Sequence, residues 1–212
     1  MVLADRQPTT EDVIVDAAED CFATVGVRRT TIEDIAAAAG VSRITVYRRV
    51  GGRDEIVLAV LVRTTERFLA RLRPRLLAQP TLEDALVLLV RATARAARRD
   101  DLSLLFASEE RGAVGAPLPG AMVRLAAVFG EVIGFVAERR PGRLTPGVDL
   151  IDAGEWLLRV IVSLATTEPS RARTQPETDD WVRRLALPGL LAEGDTSPEP
   201  CITSAATIKS RG

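Results

Sequence analysis

The sequence contains no histidine among its 212 residues. Histidine is the usual general base at neutral pH and the commonest metal ligand, so its absence disfavours both an enzyme and a metal centre. Cysteine is scarce too, because Cys21 falls among apolar residues and Cys201 in a polar tail. That arrangement provides no disulfide framework, no metal-site spacing and no base beside a thiol nucleophile, as a hydrolase would need. We expect no catalytic residue, no metal and no cofactor.

Long apolar runs are also missing. No stretch is long enough to cross a bilayer, and the first residues do not combine a basic segment with an apolar one as a secretion signal does. We therefore expect a cytoplasmic protein without membrane contact. The formal net charge is −1 at pH 7, so any affinity for nucleic acid must come from a local basic patch.

Helical periodicity runs through most of the chain, and no segment alternates as a half-buried strand does. It predicts an all-α protein with helices over residues 10–25, 30–39, 42–50, 53–73, 81–99, 102–110, 121–140, 148–167 and 177–187. We expect Thr10 to cap the first helix, Gly26 to end it, and Pro74 to end or kink the fourth. Residues 194–212 are rich in Ser, Thr and Pro, which predicts a disordered tail.

Positive charge is concentrated in the segment Arg43 to Arg53, which holds four arginines and no acidic residue although the chain before it is acidic. Just ahead of it, Thr30 and Glu33 have the spacing of a capping box. Gly40 permits a left-handed stop, and Ser42 can cap the next helix. The pattern predicts two short helices joined by a tight turn. The residues expected to face solvent on the second helix are Arg43, Thr45, Arg48 and Arg49, with Tyr47 at the edge.

A helix of this kind fits the major groove of DNA, where arginine can pair with guanine and threonine can touch a thymine methyl group. The other arginines would contact phosphates. The alternative is an ordinary surface helix whose arginines are solvated, and the arginines alone do not separate these interpretations. The turn ahead of the helix favours DNA binding. Arg28 and Arg29, in the preceding connection, could likewise reach phosphate or be solvated.

From Thr10 to about Val62 the sequence resembles the TetR-type bacterial transcriptional regulators. The residues that carry the resemblance are Ala17, Ala18, Phe22, Gly26, Thr30, Thr31, Ile35, Ala36, Gly40, Val41, Ser42, Thr45, Tyr47, Arg53 and Glu55. The resemblance implies a three-helix DNA-binding domain at residues 9–69 and a helical ligand-binding and dimerisation domain at 81–193. It further implies a ligand-responsive repressor, dimeric on a palindromic double-stranded operator and controlled by a small-molecule effector. The chain departs from the family pattern at Ile44, Arg48, Arg49 and Val50, so its operator should differ from familiar ones.

The predicted DNA contacts combine this resemblance with the outward face of the second helix. They are Thr30, Thr31, Ser42, Arg43, Ile44, Thr45, Tyr47, Arg48, Arg49 and Arg53. Arg53 opens a long helix, where a cation opposes the helix dipole. The family places a basic residue there, which implies that Arg53 contacts a phosphate.

The helix over residues 148–167 is apolar around most of its circumference and carries one narrow polar stripe. A helix this apolar must be buried on several sides, and a partner subunit would cover the last of them. The resembled family dimerises through its last two helices. The predicted interface residues are Leu157, Ile161, Leu164, Trp181 and Leu185.

Polar groups stand beside apolar faces in the C-terminal half, as they do in ligand pockets, although solvated faces would give the same pattern. The predicted ligand-binding residues are Phe106, Glu109, Met122, Phe129, Trp156 and Arg159. Gly130 and Gly134 stand four apart within one helix, which either makes room for a ligand or allows close contact with another helix.

A different class of function stays open. A helical adaptor could use the same basic helix to bind an acidic protein. Salt dependence and sequence preference of DNA binding would distinguish it from a regulator.

Overall fold

A computed structural model describes residues 8–98, 120–168 and 171–192. These residues form the helices α1 Thr10–Val25, α2 Ile32–Ala38, α3 Arg43–Arg49, α4 Arg53–Leu77, α5 Leu82–Arg98, α6 Ala121–Ala137, α7 Leu150–Thr166 and α8 Gln175–Leu185. The all-α prediction is confirmed. The predicted helix at 102–110 with Phe106 and Glu109, and the tail at 194–212, lie outside the described residues. No helix in the described part of the chain is long and apolar enough to span a membrane.

The caps of the first two helices lie one residue from their predicted positions, and α8 lies two residues earlier than predicted. Thr9 rather than Thr10 caps α1, in a reciprocal capping box with Asp12. Gly26 ends α1 with φ at 92°, as predicted. Thr31 rather than Thr30 caps α2, in a box with Asp34. Each capping threonine adopts the extended backbone that lets its hydroxyl reach the free N–H groups of the first turn.

The first three helices and the start of α4 enclose a small apolar core. Its buried residues are Ile14, Val15, Ala18, Phe22, Ile35, Ala36, Val46, Ile56, Val57 and Val60. Ion pairs on the surface tie α4 to α1, because Arg63 binds Asp12 and Asp16 while Arg67 binds Glu19 at 2.7 Å. The start of α4 therefore belongs to the same compact unit as α3.

The rest of α4 belongs to a second core. Leu58, Leu61 and Leu69 are buried against the C-terminal helices. Pro74 neither ends the helix nor lies at its boundary, since α4 continues to Leu77. The last turn persists because Leu76 is fully buried in the second core. One continuous helix thus joins the two cores.

Close contact between α6 and α7 explains the glycines of α6. A Cβ atom at Gly130 would lie 2.5 Å from the Leu150 carbonyl oxygen, and one at Gly134 would lie 2.9 Å from Leu150 Cδ1. Gly154 on α7 meets the Ala126 carbonyl of α6 in the same way. Of the two interpretations of the spaced glycines, helix contact is the one that the structure supports.

Polar contacts hold α8 at the edge of the second core. Arg91 of α5 binds Asp179 at 2.6 Å, and Arg183 binds Asp84 at 2.6 Å. The Trp156 indole N–H of α7 donates to the Ala186 carbonyl oxygen at 2.8 Å. These bonds fix α8 against α5 and α7.

Candidate nucleic-acid interface

The turn between α2 and α3 fixes how α3 is presented. Gly40 has φ at 67°, the left-handed conformation that glycine adopts without strain. Ser42 then caps α3 by accepting the Thr45 N–H at 3.1 Å. Val46 is fully buried beneath α3, with Val41 and Val50 partly buried beside it. The helix is therefore anchored along one side, and its other side is free.

The free side of α3 carries apolar and cationic groups that its own fold does not use. Ile44 is 76% exposed and Tyr47 is 50% exposed. Arg43, Arg48 and Arg49 are exposed as well. Ile44 and Arg48 are four residues apart and lie opposite the buried Val46, so they occupy the centre of the outward face. Exposed isoleucine suits a thymine methyl group, and arginine suits guanine or phosphate.

Glu33 contacts this face instead of completing the predicted capping box with Thr30. Its carboxylate binds Arg43 at 2.5 Å, with the two side chains 52% and 57% exposed. An ion pair this exposed adds little stability. It does hold the Arg43 guanidinium at the start of α3. The pair joins residues ten positions apart on two helices, so no short-range pattern in the sequence indicates it.

Ser42 and Thr45 lie at the edge of the same face. Their hydroxyl oxygens are 2.9 Å apart, a hydrogen bond in which either can donate. Ser42 thereby orients Thr45 in addition to capping α3. Thr45 is half-buried, and it keeps part of its side chain on the surface.

Thr30 does not lie on the outward face. Only 2% of its surface is exposed, and its hydroxyl donates to the Gly26 carbonyl oxygen at 2.9 Å. Thr31 is the exposed threonine of the pair, and its hydroxyl donates to Asp34 at 2.7 Å. The predictions that Thr30 caps α2 and faces DNA are wrong, because this side chain closes the turn after α1.

Arg53 makes contacts within its own fold, and its predicted phosphate contact stays a prediction. Its two terminal nitrogens donate to the carbonyl oxygens of Thr30 and Val27, each at 2.5 Å. These carbonyls belong to the connection between α1 and α2, so the guanidinium fastens that connection to the start of α4. A cation at a helix N-terminus is tolerated here because two backbone oxygens face it.

The cap of α2 is electrostatically tuned. The hydrogen bonds from the Thr31 hydroxyl and then from its backbone N–H lower the pKa of Asp34.

Burial and the nearby carboxylates of Asp34 and Asp20 raise the pKa of the Cys21 thiol. A raised pKa disfavours the thiolate, and Cys21 packs partly buried beside the N-terminal core.

The predicted dimer residues divide between the interior and the surface. Leu157 and Ile161 are fully buried within one protomer, so neither is available to a partner. The reason is that α7 turns its most apolar side toward α5 and α6. Leu185 is 64% exposed. Leu164 and Trp181 are half-buried and line a pocket between α5, α7 and α8.

The predicted ligand-binding residues within the described part of the chain do not converge. Phe129 is 1% exposed in the second core, and Met122 packs beside that core. Trp156 is 44% exposed, and Arg159 pairs with Glu155 at 2.6 Å on the surface. None of the four lines either described pocket. The described residues also include no group of three or more His, Cys, Asp or Glu placed to hold a metal.

Comparison with known proteins agrees with this geometry. A sequence profile described as bacterial regulatory proteins of the tetR family matches residues 14–60, which span α1 to the start of α4. No curated protein sequence matches the chain.

Solved structures resemble the whole fold. The TetR family repressor AlkX from Dietzia sp. strain DQ12-45-1b is 20% identical, with 82% of this chain and 94% of that chain covered and a TM-score of 0.59. The R. erythropolis repressor QsdR is 20% identical, with 86% and 96% covered and a TM-score of 0.59. Thermus thermophilus FadR, solved with lauroyl-CoA, is 24% identical, with 89% and 98% covered and a TM-score of 0.55. At these identities the likeness is one of fold.

Proposed function

We propose that this chain, which belongs to the TetR family of bacterial regulatory proteins, is a ligand-responsive repressor that binds a palindromic operator as a homodimer. Proteins of this family bind DNA and regulate transcription, and such a regulator acts in the cytoplasm, where the bacterial chromosome lies. On this proposal residues 9–69 bind DNA, and residues 81–193 bind the effector and the partner subunit.

The observation that carries the proposal is the outward face of α3. It exposes Ile44 and Tyr47 together with three arginines, while Val46 anchors the opposite side. A helix held on one side and rich in cations on the other can enter the major groove, with residues near its N-terminus against the base edges. We assign base contacts to Arg43, Ile44 and Thr45, and phosphate contacts to Thr31, Arg48 and Arg49.

A homodimer is supported by exposed apolar side chains on the last two helices. Ile151 is 50% exposed and Trp156 is 44% exposed on α7, beside Leu185 on α8. The Trp156 indole donates to the carbonyl oxygen of Ala186, the residue after Leu185, so Trp156 and Leu185 lie close together. We propose that this surface, the α7–α8 face, pairs with its copy across a twofold axis. Two α3 helices related by that axis would then read inverted half-sites.

Regulation by a ligand is supported by the position of α4. One end of α4 is clamped to the DNA-binding unit through Arg53, Arg63 and Arg67. The other end is buried among the C-terminal helices. A ligand that binds one arrangement of those helices more tightly than another can change the spacing of the two α3 helices. The shift is limited by the difference in its binding free energy between the two arrangements.

Selection from a random duplex library tests the proposal. The full chain should enrich an inverted repeat, and its affinity should fall steeply with salt as phosphate contacts release counterions. Enrichment of a single unrepeated site would contradict the twofold arrangement. Failure to enrich any sequence, together with tight binding to an acidic protein, would favour the adaptor instead.

A further inference from the structure

A pocket of about 460 Å³ lies between α5, the end of α7 and the start of α8. This volume falls in the range of roughly 300–1,000 Å³ that is usual for small-molecule sites. None of the ligand-binding residues predicted from the sequence belongs to it. Its lining includes four arginines, Arg91, Arg95, Arg98 and Arg173, and a single carboxylate, Glu168.

The four arginines differ in the contacts that their guanidinium groups make within the protein. Arg91 is paired with Asp179 at 2.6 Å. Arg98 donates through Nε to the Leu164 carbonyl oxygen at 3.1 Å, at the end of α7. Arg173 stands 5.9 Å from the centre of the Trp181 ring. Arg95 is exposed and has no hydrogen-bond or ion-pair partner among the described residues.

The charge around the pocket is not balanced by the protein. Three carboxylates offset these four arginines: Glu168 in the lining, Asp179 paired with Arg91, and Glu177, whose pKa the nearby Arg173 helps to lower. One positive charge remains in excess. The start of α8, where Gln175 lines the pocket, adds the positive end of a helix dipole, which the capping carboxylate of Glu177 partly offsets. Both features favour an anion.

Part of the pocket lining is apolar. Ala94, Leu164 and Trp181 contribute apolar groups, and Ser163 and Thr178 contribute hydroxyl groups. An inorganic anion would leave these apolar groups without a partner. A molecule with an anionic head and an apolar body would use both kinds of surface.

We propose that this pocket binds an organic carboxylate, with its head at Arg95 and its apolar body against Leu164 and Trp181. The Arg95 guanidinium can hold a carboxylate through two parallel hydrogen bonds. The inference rests on the proposed ligand-responsive function and names the class of effector. Because the pocket joins α5 to both helices of the α7–α8 face, its occupancy bears on the proposed dimer.

Calorimetric titration of the full chain with octanoate tests the site, with octanamide as the uncharged probe of equal shape and inorganic phosphate as the probe without an apolar body. We expect octanoate to bind at least about tenfold more tightly than either, because only octanoate offers both a carboxylate for charge-assisted hydrogen bonds and an apolar body. Arg95→Gln should weaken octanoate by about tenfold. Arg71→Gln, which removes an exposed α4 arginine outside the pocket, should leave it unchanged.

Several results would overturn the assignment. They are no octanoate binding at millimolar concentration, equal binding of octanamide or phosphate, and equal weakening by the two arginine variants. Arg95 has no structural partner among the described residues, so its variant should fold, and tryptophan fluorescence checks this through Trp156 and Trp181.

Adding the selected operator duplex separates this inference from the proposed function. If octanoate binds in an Arg95-dependent manner but does not alter operator affinity, the site stands and ligand control by carboxylates fails. If the operator binds and octanoate does not, the DNA-binding function stands and the site fails.

Discussion

The two cores of this protein are held together in different ways. The N-terminal core contains ten buried apolar residues, and its geometry depends on caps, on the Gly40 turn and on the Arg53 clamp. The second core contains 28 buried residues of the described chain, and its geometry depends on helices that touch through glycine. The small N-terminal unit is thus defined by a few directional bonds, and the large second core by shape complementarity. Different substitutions should therefore destabilise each of them.

The spectroscopic probes follow the same division. The two tryptophans, Trp156 and Trp181, lie on α7 and α8, and the single tyrosine, Tyr47, lies on α3. Tryptophan fluorescence therefore reports on the second core, whereas circular dichroism at 222 nm reports on the helices of both. Comparing the two signals during unfolding shows which core a substitution affects.

The largest effect should come from Gly130→Val. Its Cβ would overlap the Leu150 carbonyl oxygen, which forces α6 and α7 apart at a cost of about 3 kcal/mol. The tryptophan transition in denaturant should move to lower concentration. Gly189→Val is the matched control, because a Cβ there meets nothing within 4 Å. Similar shifts for both variants would show that glycine contact does not define the second core.

Arg53→Ala should weaken the small unit and spare the large one. It removes two charge-assisted bonds to the carbonyls of Val27 and Thr30, which are together worth about 2 kcal/mol or more. The circular-dichroism transition should then broaden or split, while the tryptophan transition stays in place. If the variant keeps wild-type unfolding and loses affinity equally for all duplexes, Arg53 is a phosphate contact after all.

Leu185→Glu should convert a dimer to a folded monomer. The side chain is 64% exposed in the protomer, so a charge there costs the protomer little but would leave an unpaired ion in an apolar contact between subunits. Light scattering at micromolar concentration measures the result. Val123→Glu is the control, since Val123 is 68% exposed on α6, which does not belong to the α7–α8 face as defined. A wild-type monomer, or equal dissociation of both variants, would contradict the proposed face.

The smallest effect concerns the capping carboxylates, one in each region. Hydrogen bonds from Thr31 lower the pKa of Asp34, and hydrogen bonds from Thr174 lower the pKa of Glu177. A carboxylate with a lowered folded-state pKa stabilises the fold above its unfolded-state pKa, and this contribution is lost as pH falls through the folded value. Asp34→Asn should therefore flatten the acid side of the circular-dichroism Tm profile, and Glu177→Gln that of the tryptophan profile. Unchanged profiles would mean that neither cap contributes measurably.

Local signals in the sequence predicted the small unit well. Gly26, Gly40 and Ser42 act where the sequence places them, because each acts on the backbone within a few residues of itself. The register of the α2 cap was ambiguous, since Thr30 and Thr31 both precede an acidic residue by three positions. Only burial of Thr30 decides between them.

Contacts between residues distant in the sequence could not be predicted. Arg53 bonds to carbonyls 23 and 26 residues earlier, and nothing in the sequence marks a carbonyl as unpaired. For α7 the sequence pattern predicts that most of the helix surface is apolar. It does not predict which part packs against the other helices of the same protomer, so Leu157 and Ile161 could be mistaken for surface residues. Three of the four pocket arginines, Arg91, Arg95 and Arg98, share one face of α5 by their spacing. The fourth, Arg173, and the apolar lining come from distant segments, which sequence spacing does not relate to α5.

Binding of wild type and Arg43→Ala to the selected inverted repeat and to a scrambled duplex of equal composition tests the central claim most directly. Fluorescence anisotropy at one fixed salt concentration measures all four affinities, with Arg29→Ala as an exposed arginine outside α3. If α3 reads sequence, Arg43→Ala loses about 1–3 kcal/mol on the selected duplex and little on the scrambled one, whereas Arg29→Ala does not change the ratio between them. Equal losses for Arg43→Ala on both duplexes, or no preference by the wild type, would contradict sequence recognition by this helix.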